Sequence, residues 1–403
     1  MNQSVPGEPL DQGGVAPPPD GQGTLDVDLE ATGGVGRRRV DWRVAGGVAV
    51  VVAVLLVGAF WRVPYFTVAP GSLRATEPLI SVEGAPSYPD DAGEIGYLTV
   101  TFGQTTPFGL VRAWIDGDIE VLSEDQALGG LDRDENREVN EALMTNAKDT
   151  ATAVALDALG YDVELLGTGS IVIQVEDGTP AVGVVQPGDV IVSVDGEPVT
   201  TAVELTDLLA TAVPGQEVLL GIQPQSASMM VGHAGAQPPA TTEPEREVPV
   251  TLAERPDEPG RAYLGVRSAT RDATYNLPFD VTIDSGNVIG PSAGLAFTLA
   301  VIDVLTPGNL TGGSTVAVTG TISPSGQVGR VGGVPQKAAA AMGAGATVYL
   351  VPVDEAEQAR RRAGDAMEVV PVATLDEALA YLATISGDTS VVDMVAANRA
   401  AGG

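Results

Sequence analysis

The sequence predicts a multidomain chain with a single transmembrane helix, a β-rich domain and an α/β (α+β) domain. The length supports this division, because 403 residues suffice for two or three domains of roughly 100–200 residues each. An uncharged apolar run at residues 44–61 predicts the helix. Beyond it, the pattern changes from short strands separated by turns, at residues 158–252, to alternating strands and helices at residues 260–388.

Composition excludes several classes of function. The formal net charge of −32 argues against nucleic-acid binding, since nucleic-acid-binding proteins present basic surfaces. The chain has no Cys and one His, so disulfides, thiolate nucleophiles and paired-histidine zinc sites are excluded. That residue, His233, lies in a Gly/Ala/Pro-rich insert, Ser226–Glu245, which predicts a flexible, solvated loop. Neither lysine, Lys148 nor Lys337, lies in a G-x-x-x-x-G-K-[ST] loop, so we expect no ATP-binding module and no cofactor.

The N-terminal segment has two parts. Residues 1–40 are rich in Gly, Pro and acidic side chains and predict a disordered cytoplasmic tail. Residues 44–61 have the length and apolar character of a transmembrane helix, and Trp42 and Trp61 occupy the positions of interfacial aromatic residues. A buried core helix and a cleaved signal peptide are the alternatives for this run.

Charge on either side of the apolar run predicts its orientation. Four arginines precede it closely, whereas Arg62 and Arg74 follow it. Because positive charge favours the cytoplasmic side, we expect a single-pass cell-membrane protein whose residues 62–403 are extracytoplasmic. This exterior part begins with a region at residues 62–157 that carries no catalytic pattern. Lys148 lies there on a predicted helix and is expected at the surface.

Residues 158–252 carry a specific pattern. They contain GTPA at 178–181 and QPGDVIVSVDGEPV at 186–199, in which Asp195-Gly196 is a hairpin signal. This pattern resembles the PDZ family, and the resemblance implies a groove that accepts an extended peptide as an added strand. Leu159-Gly160-Tyr161 is a candidate for the loop that holds a peptide carboxylate, and a plain turn is an equal alternative.

The segment Gly290-Pro291-Ser292-Ala293-Gly294 is the first candidate for chemistry. Small neighbours let a substrate carbonyl approach Ser292, and backbone N–H groups at the start of a helix can stabilise an oxyanion. From the pentapeptide alone, a simple helix N-cap is the more frequent role of such a serine. A nucleophilic serine also needs a base.

Lys337 is the candidate base, because the only histidine lies in the distant insert. An arginine does not lose its proton in a protein, whereas a desolvated lysine does. To act near neutral pH, the pKa of Lys337 has to fall by about 3 from roughly 10.4, at a cost of about 4 kcal/mol, which burial can supply. Chance placement of one of the two lysines is the alternative.

Two longer stretches, GPSAGLAFTLAVIDVLT and LTGGSTVAVTGTISPSGQVGRVGGVPQKAAAAMGAGATVYLVP, resemble the proteolytic domain of Lon proteases. The resemblance covers roughly residues 279–385 and implies a Ser-Lys dyad that hydrolyses peptide bonds. It assigns the nucleophile to Ser292, the base to Lys337 and a supporting role to Thr319. We expect backbone N–H groups around Gly290 and Ser292 to form the oxyanion hole.

The order of anchor, PDZ domain and Lon-type domain resembles the YlbL family of membrane-anchored Lon-like proteases. The resemblance implies an ATP-independent serine endopeptidase that cleaves extended or unfolded polypeptides outside the membrane and uses its PDZ domain for recognition or regulation. It also implies a homo-oligomer, since Lon-type domains often form rings. Ile289 and Thr321 replace acidic residues of the ATP-dependent Lon proteases, which can alter how the active form is reached. Residues 389–403 are expected to form a tail.

Two other functions stay open at this point. One is a membrane-anchored peptide-binding scaffold with weak or no proteolytic activity, which the presence of both Ser292 and Lys337 argues against. The other is a signal-peptidase-like Ser-Lys enzyme, which shares the dyad but not these motifs. Loss of activity on free soluble peptides would favour this last function.

Overall fold

The computed structural model describes residues 42–89, 92–224, 246–255 and 258–402. The side chains of Val44 and Gly402 are not among the described ones. The tail predicted at residues 1–40 and the histidine-bearing insert, Ser226–Glu245, also lie outside the described residues. The chain divides at Leu55 into two compact units, and each is described by itself.

Helices form much of the described chain. The α-helices within the described residues are, in chain order, α1 (Trp42–Phe60), α2 (Pro107–Ile115), α3 (Glu124–Leu128), α4 (Arg133–Ala158), α5 (Ala202–Thr211), α6 (Gly294–Leu305), α7 (Val334–Gly343), α8 (Ala356–Ala363), α9 (Leu375–Ser386) and α10 (Ser390–Gly402). Three short 3-10 turns lie at Glu77–Leu79, Pro291–Ala293 and Val353–Glu355.

The strands are short, except for β1 and β3. In chain order the described strands are β1 (Tyr65–Ala75), β2 (Ile80–Glu83), β3 (Glu94–Gln104), β4 (Glu120–Ser123), β5 (Glu164–Leu166), β6 (Ser170–Val175), β7 (Val190–Val194), β8 (Glu197–Pro198), β9 (Glu217–Gln223), β10 (Arg246–Thr251), β11 (Ala253–Glu254), β12 (Ala262–Tyr263), β13 (Val266–Thr270), β14 (Thr274–Asn276), β15 (Asp280–Ile283), β16 (Thr315–Val318), β17 (Thr321–Ile322), β18 (Val328–Gly329), β19 (Val348–Pro352) and β20 (Glu368–Val372).

One large mixed sheet has the strand order β20-β19-β16-β3-β1-β4. β16 runs parallel to β3 and β19, whereas β1 runs antiparallel to β3 and β4. α4, α6, α9 and α10 bury their apolar side chains on one face, around Phe297 and Leu299. α7 and α8 cover the other face, around Tyr349. Helices on both faces explain why the parallel strands are almost wholly apolar.

The region predicted at residues 62–157 is not separate from the domain predicted at residues 260–388. β1, β3 and β4 supply half of the large sheet, and β3 pairs with β16 from Glu94–Thr315 to Tyr97–Val318. α4 packs against α6 in the same domain. The sequence prediction divided these segments because a pairing between strands so distant along the chain leaves no local pattern.

A second sheet, with the order β10-β9-β7-β6-β13, belongs to the domain predicted at residues 158–252. α5 packs on it over a core that includes Leu205 and Leu220. The predicted boundary is corrected here, since β13 pairs antiparallel with β6 and therefore belongs to this sheet rather than to the next domain. The domain is inserted in the chain between α4 and β15. Strands of the large sheet therefore come both before and after it in the sequence.

The tail predicted at residues 389–403 is instead helical through α10. Val391 and Val395, one helical turn apart, are buried in the core shared with α9 and α4. Asn398 Nδ2 donates a hydrogen bond to the Ala158 carbonyl at 3.1 Å. This helix therefore covers part of the proteolytic core predicted for residues 260–388.

α1 contains most of the run predicted to span a membrane at residues 44–61. Its described apolar side chains between Val48 and Phe60 are exposed. In the part of the chain that the structure describes, no helix combines the length and the apolar character required to cross a membrane.

Candidate active site

The Ser292 loop leads into α6 through a 3-10 turn, Pro291–Ala293. Gly290, just before the turn, has φ +94°, a backbone conformation that L side chains rarely adopt. The N-cap position of α6 is Ala293, and no side chain caps it. Ser292 is therefore not the N-cap of α6, the alternative that its pentapeptide favoured.

The end of β16 holds the Ser292 loop in place. The Ser292 carbonyl oxygen accepts hydrogen bonds from Gly320 N at 3.0 Å and from Thr319 Oγ1 at 3.2 Å. In return, Leu295 N donates to the Gly320 carbonyl at 3.0 Å. These bonds fix the backbone of Ser292 relative to the end of β16, which Thr319 directly follows.

Lys337 lies in the first turns of α7 and is only 2% exposed. Its Nζ donates a hydrogen bond to Thr319 Oγ1 at 3.0 Å. Among the described residues, no carboxylate forms an ion pair with this amine. Burial in these surroundings lowers the pKa of Lys337 from 10.5 to about 8, because the charged form loses its hydration.

Thr319 thus connects the two predicted members of the dyad. Its hydroxyl accepts a hydrogen bond from the Lys337 amine and donates one to the Ser292 carbonyl oxygen. Within the described residues, no hydrogen bond joins Ser292 Oγ to Lys337 Nζ. The arrangement gives a desolvated amine, held by one hydroxyl, beside a loop whose serine side chain is half-buried.

The N–H group of Gly290, at the predicted oxyanion hole, has a hydrogen-bond partner in the structure. Gly290 N donates to the Asn140 carbonyl of α4 at 3.0 Å, so this N–H group is already engaged. This bond could not be predicted, because α4 and the Ser292 loop are far apart along the chain. The bond also attaches α4 directly to the loop that carries the serine.

An open groove of about 430 Å³ lies beside β13. β13 is the edge strand of its sheet, and the start of α5 faces it. One wall of the groove is formed by Ala202 and Val203 of α5 and by Ser268, Ala269 and Thr270 of β13. The other wall is formed by α4, β14 and Pro324–Ser325. An edge strand opposite a helix is the arrangement that accepts an added peptide strand.

The turn that precedes this edge strand was missed by sequence reasoning. Tyr263-Leu264-Gly265 leads directly into β13, whereas the earlier candidate, Leu159-Gly160-Tyr161, forms the turn that ends α4. Tyr161 N donates there to the Leu156 carbonyl at 3.0 Å, as expected of a plain turn. The sequence signal for this segment is the alternation of Val266–Thr270 after a glycine, beyond the expected end of the domain.

Two segments of the chain match known families. Residues 157–227 match the PDZ domain, and residues 275–384 match the Lon protease (S16) C-terminal proteolytic domain. The Lon protease of Clostridioides difficile (strain 630) is 38% identical over 108 residues, which are 25% of this chain and 13% of that protein. Lon protease 2 of Bacillus subtilis (strain 168) is 34% identical over 116 residues, 29% of this chain and 20% of that protein.

The chain spans 13% to 20% of the length of these curated relatives. Among solved structures, the PDZ domain of an SdrC-like protein from Listeria monocytogenes is 20% identical, covering 25% of this chain and 87% of that chain with a TM-score of 0.19. The two domain matches fall on the two sheets described above. The chain therefore combines a PDZ domain with a Lon-type proteolytic domain, the domain of a serine-type peptidase.

Proposed function

We propose that the chain is an ATP-independent endopeptidase that cleaves extended or unfolded polypeptides with a Ser292–Lys337 dyad. The observation that carries the proposal is the buried Lys337 amine, bonded to Thr319 Oγ1 and free of any carboxylate partner among the described residues. A buried cation without a counter-charge is costly in a structural role, whereas a base that must be neutral near physiological pH requires this environment.

The reaction follows from the chemistry of a neutral amine beside a hydroxyl. Ser292 Oγ attacks the scissile carbonyl carbon while Lys337 takes the hydroxyl proton. The amine then returns that proton to the leaving nitrogen, the peptide C–N bond breaks, and an acyl ester forms on Ser292. Water, deprotonated by the same lysine, hydrolyses the ester and restores the serine.

Thr319 acts in this scheme as a positioning residue. Its hydroxyl occupies one face of the Lys337 amine and orients the nitrogen lone pair away from itself. The same hydroxyl bonds the Ser292 carbonyl, so a single side chain sets the distance between base and nucleophile.

The PDZ groove supplies the substrate in this proposal. A chain segment added to β13 leaves the rest of the polypeptide extended, which suits an enzyme without an unfolding module. We place the domains outside a cell membrane, anchored through the α1 segment, because arginines precede its uncharged apolar run. Assembly into a homo-oligomer is part of the same proposal, and light scattering of the purified full chain measures it.

The test is cleavage of a permanently unfolded protein by the full chain in detergent, without ATP. Ser292→Ala and Lys337→Arg should each abolish cleavage. Lys148→Arg is the matched control, because it changes the chain's other lysine, which is half-buried on α4. Activity that survives in Ser292→Ala or Lys337→Arg contradicts the dyad. Absence of cleavage by every variant and by the parent chain, with an unfolded peptide bound, favours the scaffold instead.

A further inference from the structure

α2 presents an apolar face to solvent, in contrast to the rest of this acidic chain. Phe108, Val111 and Ile115 are spaced at helical intervals on its exposed side, and Trp114 flanks them. Trp114 is 87% exposed and Ile115 74% exposed. The buried side of the helix holds only Ala113. This pattern departs from that of an ordinary amphipathic helix, in which the apolar side is buried and the polar side faces water.

The sequence of α2 also lacks negative charge. PFGLVRAWI contains no acidic residue and one arginine, Arg112, within a chain of net charge −32. A contiguous exposed apolar surface marks an interaction site. An exposed Trp with apolar and basic neighbours has the composition of a helix that lies at a lipid–water boundary.

The structure fixes α2 next to the end of α1. Val63 N donates to the Thr105 carbonyl at 3.1 Å, and Thr105 N donates to the Tyr65 carbonyl at 2.9 Å. Gly58 leaves room for the Phe108 ring, since a Cβ atom added there would lie 2.6 Å from the ring Cζ. The apolar face of α2 is therefore continuous with the last residues of α1.

Both ends of α2 are held, so its apolar face cannot turn inward without breaking other bonds. At the start, the bonds of Thr105 to Val63 and Tyr65 hold the helix, and Thr106 Oγ1 caps it by accepting a hydrogen bond from Gly109 N at 3.2 Å. Just beyond its end, Asp118 forms a two-bond ion pair with Arg362 of α8, at 2.5 and 2.6 Å. The Arg362 guanidinium lowers the pKa of Asp118, which keeps this pair charged.

We propose that α2 lies on the surface of the lipid bilayer beside the α1 anchor, with Phe108, Val111, Trp114 and Ile115 in the headgroup region. The inference rests on the membrane anchoring proposed above. It adds a second contact that fixes the orientation of the proteolytic domain relative to the membrane, which a single flexible anchor does not do. The occupant of the apolar face is lipid rather than another protein, because the face is continuous with the apolar helix that the bilayer would surround.

The three tryptophans of the chain provide the test, since they lie at positions 42, 61 and 114. The full chain is reconstituted in phosphatidylcholine vesicles that contain lipids brominated near the headgroup. One variant, W42F/W61F, keeps only Trp114, and a second, W42F/W114F, keeps only Trp61. We expect bromine to quench both single tryptophans and the emission of Trp114 to shift to shorter wavelength on reconstitution.

The outcomes separate this inference from the anchoring on which it rests. Quenching of Trp61 without quenching of Trp114 overturns the inference and leaves the anchor intact. Quenching of neither contradicts the anchor as well. A blue shift of Trp114 without bromine quenching means that a second copy of the chain covers α2, which also overturns the inference.

Two substitutions on α2 check that the quenching depends on its apolar face. Added to the Trp114-only chain, V111S/I115S should abolish the quenching of Trp114, and in the Trp61-only chain it should leave the quenching of Trp61 unchanged. The matched control is I173S, which removes an exposed apolar side chain from β6. Persistent quenching of Trp114 in V111S/I115S contradicts the proposed contact.

Discussion

The candidate catalytic cluster of Ser292, Thr319 and Lys337 and the groove beside β13 are built in opposite ways. In the cluster, Lys337 and Thr319 are buried, and Thr319 alone connects them to Ser292, with one hydrogen bond to the Lys337 amine and one to the Ser292 carbonyl. In the groove, Val203 and Ala269 are exposed, and β13 ends its sheet. A closed cluster depends on individual atoms, whereas an open groove depends on the sum of many weak contacts. A single substitution should therefore have a large effect on activity in the cluster and a small effect in the groove.

The largest expected effect is that of Lys337→Met. Methionine fills a similar volume without a basic nitrogen, so kcat should fall on the order of 10²–10⁴-fold as general-base catalysis is lost. Chemical denaturation should show no loss of stability, because a buried amine without a counter-charge is removed. A drop in activity that follows unfolding, or one also seen in Lys148→Met, contradicts the assigned role.

The pH dependence of stability is the next effect in size. Below pH 8, Lys337 is protonated in both the folded and the unfolded chain, so the cost of burying its charge is fully present. Between pH 8 and about 10.4 the folded chain has released the proton and the unfolded chain has not, so stability rises with pH. The gain is on the order of 3 kcal/mol across this interval.

Subtracting the unfolding curves of Lys337→Met isolates this contribution from other groups. The difference between the parent chain and the variant should change only within that interval. The kcat/KM of the parent should rise around pH 8, as the amine of the folded chain becomes neutral, and level off above it. A flat difference means that the Lys337 amine keeps its ordinary pKa.

Thr319→Val has a smaller expected effect. Valine keeps the shape but leaves the Lys337 amine and the Ser292 carbonyl each without one partner, at a cost of about 1–3 kcal/mol in unfolding free energy. The pH profile of kcat should also shift, since the amine loses a neutral hydrogen-bond acceptor. Thr319→Ser restores the hydroxyl and should recover both properties. Failure of the serine variant to restore the pH profile would show that Thr319 only fills space.

The smallest effect is expected in the groove. Val203→Asp places a carboxylate beside β13 and should raise KM for long polypeptides several-fold with little change in kcat, because only the added contacts are weakened. Val213→Asp is the matched control, since Val213 is exposed just beyond α5 and outside the groove. Equal effects of the two substitutions, or an effect on kcat alone, contradict a role of the groove in substrate capture.

Short contiguous motifs made much of the candidate site predictable. Ser292 and Lys337 lie within runs whose small residues and glycines carry the family pattern, and the hydroxyl of Thr319 meets the lysine as the resemblance implied. The hydrogen bond from Gly290 N to the Asn140 carbonyl, a contact between distant segments, was not predicted. Residues within a contiguous motif could be predicted from the sequence, whereas contacts between distant segments could not.

The fold shows the same difference between local sequence patterns and contacts of distant segments. The strands and helices of the two domains follow local periodicity, but the assignment of β1, β3 and β13 to their sheets does not. The alternation along β13 was visible in the sequence, yet nothing in it indicates whether the partner is β6 or a strand of the other domain. The valines of α10, four residues apart, did offer a helical signal that could have replaced the predicted tail.

The insertion of the PDZ domain into the large sheet has a consequence for how the chain is made. β1, β3 and β4 are synthesised before the PDZ domain and β16, β19 and β20 after it. Joining them closes a very long loop, which costs little at equilibrium but slows folding, because the pairing is highly non-local. α7, which carries Lys337, packs against β1 and β3, so its final position depends on both halves. The proposed dyad is therefore complete only late in synthesis, since Ser292 and Lys337 both follow the PDZ domain in the chain.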